Sequence, residues 1–239
     1  MQHRVWRFGR SIVHSEKAHE DFRRRSAAGW CGPVVRWVRH HDDGEMAVSA
    51  PFVIVIGTGE GGLAVMRRAL AGLSDDFGGA IVLLMHSSAD DADPLPQLRQ
   101  GTGRVHVSMA EDGSAVTPGH VHVVPRGCHA VVESPGVLRI AGPKPGRTTR
   151  PAIDELFRSA AAVYQARTVG LVLTGRGDDG TEGLRAIGAV GGLGMVQSVV
   201  DSECSEMPMS ALIGDHPYKS LLIQGIAPAL LGVAGSLGH

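Results

Sequence analysis

Phe52-Val53-Ile54-Val55-Ile56-Gly57-Thr58-Gly59-Glu60-Gly61-Gly62 is the stretch on which the fold turns. Its apolar opening has no polar interruption, which describes a strand buried on both faces. The glycines describe a tight turn, and residues 61–73 then carry Leu63, Val65, Met66, Ala69, Leu70 and Leu73 at helical spacing. Residues 80–85 (Ala-Ile-Val-Leu-Leu-Met) read as a second buried strand that ends at His86. Residues 168–173 read as a third, followed by Gly175-Arg176-Gly177-Asp178-Asp179-Gly180 and a helix to about residue 190. Strands alternating with helices predict an α/β fold, a doubly wound, mostly parallel sheet covered on both faces.

The rest of the chain fits around that frame. A short helix is expected over residues 95–100, and Pro151 is expected to open a helix that runs to about residue 165. Four short strands at residues 105–109, 120–124, 130–133 and 137–140 are expected to form an inserted antiparallel hairpin region. A strand at 193–197, a helix at 207–213, a strand at 221–223 and a C-terminal helix complete a domain over residues 50–235.

The chain of 239 residues is 43% hydrophobic, enough for a sizeable core. A net charge of −1 and 4% aromatic residues give no support to a nucleic-acid surface, whether electrostatic or stacking. Cys31, Cys128 and Cys204 are odd in number and widely spaced, so neither a disulfide scaffold nor a zinc ribbon is expected. No apolar run is long enough to cross a membrane, so no membrane insertion is expected, and a cytoplasmic location is the simplest. Residues 1–45 differ in kind: they hold all three tryptophans and the run Arg23-Arg24-Arg25, with poor apolar periodicity. They read as a basic extension, either disordered, a small helical arm, or a stretch ahead of a true start at Met46.

Ligands of such sheets bind beyond the carboxyl ends of the strands. Three places qualify: the glycine turn at residues 57–62, His86, and residues 175–180. Gly57, Gly59 and Gly62 satisfy G-x-G-x-x-G after a strand and before a helix, as a dinucleotide site requires. That site also needs an acid at the end of the second strand to hold the ribose, and the residue there is His86. A histidine and an aspartate (His86, Asp179) at neighbouring strand ends suggest a base and its orienter. Asp179, or Asp178 beside it, reads equally well as a helix cap. His120 and His122 share one face of a strand, a conceivable metal pair without a third ligand nearby, and no metal is expected. Arg147 and Arg150 flank a loop and could steer an acidic surface. Cys128 and Cys204 read as packing residues.

Taken in order, these segments resemble the catalytic domain of the chemotaxis-receptor methylesterase (CheB) family. Residues 56–62 match its I-G-A-S-T-G-G turn, and Met85-His86 its Q-H-M segment. Glu111-Asp112-Gly113, Pro118-Gly119-His120 and Val124-Pro125 match E-D-G, P-G-H and A-P. Residues 150–157 match R-P-S-V-D-x-L-F, residues 173–180 match L-T-G-M-G-N-D-G, and Met207-Pro208 follows in order. The resemblance implies a Ser-His-Asp hydrolase without a cofactor, acting on glutamate methyl esters of chemoreceptor cytoplasmic helices. It implies His86 as general base and Asp179 as its orienter. Many relatives carry an N-terminal phosphoacceptor domain, for which the residues ahead of 50 are too few.

The family's serine falls on Gly59, which cannot form an acyl-enzyme. Arg176 replaces a methionine, and Thr58 and Glu60 flank the vacant position as secondary candidates. Three expectations follow: an impaired methylesterase, a catalytically silent homologue that binds or scaffolds, and, more remotely, a dinucleotide-binding protein.

Overall fold

The computed structural model describes residues 6–8, 11–13, 38–40, 46–48, 50–74, 77–86, 92–100, 105–142, 152–215, 217 and 219–237. The chain divides into two compact units, Met1–Trp37 and Val38–His239. In the first, β1 (Trp6–Phe8) pairs antiparallel with β2 (Ser11–Val13). The expectations of disorder or helix for residues 1–45 otherwise lie outside the described residues. The second unit begins with another antiparallel pair, β3 (Val38–His40) and β4 (Met46–Val48).

A seven-stranded, all-parallel sheet dominates the second unit, in the order β13-β12-β11-β5-β6-β8-β7. Its strands are β5 (Val53–Thr58), β6 (Ala80–Met85), β7 (His106–Met109), β8 (His120–Val123), β11 (Thr168–Val172), β12 (Leu193–Gln197) and β13 (Lys219–Leu221). The helices are α1 (Gly62–Ala71), α2 (Leu95–Arg99), α3 (Ile153–Tyr164), α4 (Thr181–Ala189), α5 (Glu206–Asp215) and α6 (Ile223–Leu237).

Period-two alternation explains why the apolar run of β5 has no polar face. Phe52, Ile54 and Ile56 enter one core with Val65, Met66 and Leu70 of α1 and Ile226 and Leu230 of α6. Val53 and Val55 enter the other with Ile153, Leu156 and Phe157 of α3, Leu184 of α4 and Met207 of α5. Both cores are buried, so both parities of the strand must be apolar. One glycine sets the approach of α3 to the end of β5: a Cβ at Gly57 would lie 2.2 Å from Ile153 Cγ2.

The mostly parallel sheet with one inserted antiparallel hairpin is as expected, but the hairpin is smaller. Only β9 (His129–Glu133) and β10 (Val137–Ala141) pair antiparallel. β7 and β8 join the main sheet in parallel, with His106 opposite His120 and Val121 opposite Ile81. Alternation in a short strand reports which face is buried, not the direction of the neighbour, and that is why the hairpin reading of these two failed. The hairpin lies against α3, where Val132 N–H donates to Ser159 Oγ at 3.0 Å. Pro151 lies outside the described residues, and the helix after it starts at Ile153.

Candidate active site

β5 lies where the strand order reverses, with β6 on one side and β11 on the other. A crevice opens beyond the carboxyl ends of strands at such a point. The loops after these strands carry Gly59, His86 and Asp179, and backbone hydrogen bonds tie the tips together. Gly59 N–H donates to Thr174 O at 2.9 Å, and His86 N–H donates to Thr58 O at 2.7 Å. Gly175 N–H donates to Cys204 O at 2.9 Å, and Met207 N–H donates to Gly175 O at 3.0 Å. Below them Thr174 is fully buried, its N–H donating to Gln197 Oε1 at 2.9 Å and its hydroxyl accepting from Cys204 N–H at 2.8 Å.

His86 Nε2 lies 2.8 Å from Asp179 Oδ2, with the two side chains 11% and 23% exposed. The aspartate is held on every side. Oδ2 also accepts Ile153 N–H at 2.8 Å, and Oδ1 accepts Asp154 N–H at 2.9 Å. Asp179 thus caps the N-terminus of α3. Asp154 returns the contact at α4: its Oδ1 accepts Gly180 N–H at 3.0 Å and Gly183 N–H at 2.7 Å. Each acid sits at one helix start and caps the other, so the loop bearing Asp179 cannot move without breaking both helix ends.

Electrostatics separate the two acids. Burial pushes the Asp179 carboxyl up, but the hydrogen bond from His86 and the amides of Asp154 and Ile153 outweigh it, and the net shift is downward. Burial raises Asp154, and the Asp179 charge adds to that, against the amide of Gly183 and the Arg158 guanidinium.

At residue 59 the backbone permits a side chain. A Cβ there would lie 3.1 Å from Gly175 Cα, 3.7 Å from Arg176 N and 3.8 Å from His86 Cβ. A serine could stand beside His86 after a shift of a few tenths of an ångström. The other candidates are placed as follows. The Thr58 hydroxyl is fully buried under the turn and donates to Thr174 O at 2.9 Å. Glu60 Oε2 accepts from Arg176 Nε at 2.7 Å, and Arg176 Nη1 lies 3.9 Å from Glu206 Oε1. The two charges at positions 60 and 176 therefore neutralise one another across the mouth of the turn. Asp178 is on the same loop, and Thr181 N–H donates to its backbone carbonyl at 3.2 Å.

A cleft of about 470 Å³ opens over Gly59 and His86, with Leu63, Met85, Arg67 and Arg126 in its walls. The sequence reading missed Arg67 and Arg126, because α1 and the turn after β8 meet at the cleft only in the fold. It also missed Asp154, visible in the sequence only as an acid in a first helical turn. Arg147 and Arg150 lie outside the described residues. His120 and His122 do share a face, their rings stacked 4.2 Å apart. His120 Nε2 meets His106 Nδ1 at 2.9 Å, and His122 Nε2 accepts Thr117 N–H at 3.3 Å. Among the described residues no group of three or more potential ligands is arranged to hold a metal. Cys128 and Cys204 are part-buried free thiols. No described helix is long and apolar enough to cross a membrane.

Residues 54–230 match the family described as CheB methylesterase. The protein-glutamate methylesterase/protein-glutamine glutaminase 1 of Myxococcus xanthus is 32% identical over 203 residues, 82% of this chain and 59% of the relative. A relative from Leptospira interrogans, named a putative protein-glutamate methylesterase/protein-glutamine glutaminase, is 32% identical over 66% of this chain and 82% of its own length. The crystal structure of the Thermotoga maritima CheB methylesterase catalytic domain superposes with a TM-score of 0.70 at 26% identity, covering 76% of this chain and 98% of that one. The chain thus spans little more than half of the Myxococcus relative.

Proposed function

The chain belongs to the CheB methylesterase family, and from that premise we propose that its cleft takes glutamate methyl esters of chemoreceptor cytoplasmic helices and hydrolyses them poorly. The observation that carries this reading is the 2.8 Å contact of His86 with Asp179 beside a residue 59 that has no side chain. On this reading His86 is the base, Asp179 is its orienter, and the nucleophile's position is vacant.

The chemistry follows from that. Asp179 engages Nε2 of His86, and this reading gives the role of base to the other ring nitrogen, Nδ1. It is the ring nitrogen nearer to Cβ, the atom 3.8 Å from where a residue-59 Cβ would stand. With no hydroxyl at residue 59, water is the attacking group. His86 takes a proton from the water as its oxygen adds to the ester carbonyl. The imidazolium, stabilised by Asp179, then returns that proton to the departing methoxide. The products are the glutamate carboxylate, methanol and one proton released to solvent, with one water consumed. Thr58 is not a substitute, since its hydroxyl is buried and committed to Thr174 O. Triad hydrolases stripped of a member keep about 10³–10⁴ over the uncatalysed rate, which sets the scale expected here. The relatives' names pair the ester with glutamine, and the same displacement applied to a glutaminyl side chain would release ammonia.

The Glu60–Arg176 pair supports a second reading, in which the cleft binds receptor without turnover. Glu60 and Arg176, two of the positions that differ from the family motifs, lie at the mouth of the turn and pair with each other. A receptor-binding protein of either kind works on the cytoplasmic side, without cofactor or nucleic acid.

Methanol release from methylated receptor separates the readings. Slow release that His86→Ala abolishes is the expected outcome, and none above background from wild type leaves the binding reading. Gly59→Ser should raise release by about a thousandfold or more. No gain from that change would mean that the cleft no longer accepts the ester.

A further inference from the structure

We propose that Asp154 is a positioning residue for the ester chemistry, acting through Asp179 to set the angle at which that carboxylate meets His86. This rests on the reading of His86 as base and Asp179 as its orienter, and it adds a residue outside the lining of the cleft.

Asp154 holds Asp179 at both ends. Its backbone N–H donates to Asp179 Oδ1 at 2.9 Å, which fixes the carboxylate. Its own Oδ1 accepts Gly180 N–H at 3.0 Å, which fixes the peptide that joins Asp179 to Gly180. The Asp179 side chain spans these two anchors. Together they set the direction of its Cα–Cβ bond and the place of Oδ2, 2.8 Å from His86 Nε2. The second anchor is needed because the next residue is a glycine. Gly180 has a φ of 104°, and a Cβ there would lie 2.8 Å from Val172 Cγ2 and 3.1 Å from Ile153 Cγ2, so no side chain can stiffen the position. A glycine backbone turns at little steric cost, and an amide at a helix start has no intrahelical acceptor. Asp154 Oδ1 also accepts Gly183 N–H at 2.7 Å, and Oδ2 lies 3.7 Å from Arg158 Nη2, so the anchor is itself held. Without that carboxylate the Gly180 N–H turns toward water, the peptide rotates with it, and Asp179 Oδ2 swings away from Nε2. A misplacement of about 1 Å in a catalytic group costs on the order of a hundredfold in rate.

Substitutions at Asp154 test this with two readouts. The first is the nitrogen chemical shift of His86 Nε2 at one fixed pH, which reports the contact with Asp179 without turnover. Asp154→Ala should move it most of the way to its position in Asp179→Ala. Asp154→Asn keeps an acceptor oxygen and should leave it near the parent value. The second is methanol release in a Gly59→Ser background. There Asp154→Ala should lower kcat about a hundredfold with KM within about twofold, and Asp154→Asn should bring kcat back to within about threefold of the parent. Ser159→Ala is the control for lost stability alone, since it deprives Val132 N–H of its acceptor elsewhere on α3. It should leave the shift and kcat unchanged. Should the alanine variant not fold, Asp154→Glu keeps the charge and displaces the acceptor by one methylene; it should move the same shift and lower kcat about tenfold. A His86 shift that stays at the parent value in the folded Asp154 variant, or losses of equal size from Ser159→Ala, overturns the proposal. The two ideas fail separately. A Gly59→Ser chain that releases no methanol removes the ester reading, while the His86 shift still decides the role of Asp154.

Discussion

Histidine serves two ends of the same sheet in opposite ways. At the carboxyl ends of the strands, His86 meets Asp179 at 2.8 Å, and two helix-start amides hold that aspartate in place. Toward the amino ends of the edge strands, His106, His120 and His122 meet one another. His106 and His120 are hydrogen-bonded at 2.9 Å, and His120 stacks on His122. Among the described residues no acid is hydrogen-bonded to His120 or His122, and burial is the largest influence on the charge state of those two. Burial and then the neighbouring His106 lower His120 to about 4. Burial, with His120 and His106 adding to it, lowers His122 to about 3. An imidazole becomes a working base when a carboxylate supports its cation, and a packing residue when only other imidazoles face it.

The sharpest way to break this contrast is in a Gly59→Ser background. There Asp179→Asn should cost about 10³–10⁴ in methanol release, because the imidazolium loses its partner. His122→Gln in the same background should leave release within about twofold. Comparable losses from both changes would erase the distinction between the two ends.

Next in size is the clasp beneath Asp179. Asp154→Ala leaves the amides of Gly180 and Gly183 without an acceptor and should destabilise the fold by about 2–3 kcal/mol, read as a lower urea midpoint. An unchanged midpoint would show that the exchanged caps do not hold the loop.

The histidine stack makes its own prediction through pH. His120 and His122 have folded-state values below the ordinary 6.5, so between pH 6.5 and about 4 the unfolded chain binds protons that the folded chain refuses. Stability should therefore fall as pH drops through that window, by on the order of a few kcal/mol in total. Thermal midpoints should fall less steeply there in His122→Gln, with the His120 share remaining. Asp179, shifted downward, contributes stability that is lost only at lower pH, below the ordinary carboxylate value of 3.8.

The smallest effect belongs to the ion pair at the mouth of the turn. Both partners are more than half exposed, so Glu60→Gln should change stability by less than about 1 kcal/mol. A larger loss in the urea midpoint would mean that the pair braces the turn itself.

Much of this was legible in the residue order. Phe52 to Ile56 announces a two-faced buried strand, because only an interior strand needs apolar side chains of both parities. Gly59, His86 and Asp179 each follow such a strand, and in a doubly wound sheet strand tips share one edge. The absence of a hydroxyl at residue 59 is a covalent fact that no fold can repair. What the chain order could not encode was the company these residues keep. The parallel pairing of β7 with β8, the exchange of caps between Asp154 and Asp179, and the lining of one cleft by both Arg67 and Arg126 bring together segments that are not adjacent in sequence. Periodicity reports which face of an element is buried. Direction of pairing, and which charges face each other across a cleft, depend on packing between elements, so only the tertiary structure decided them.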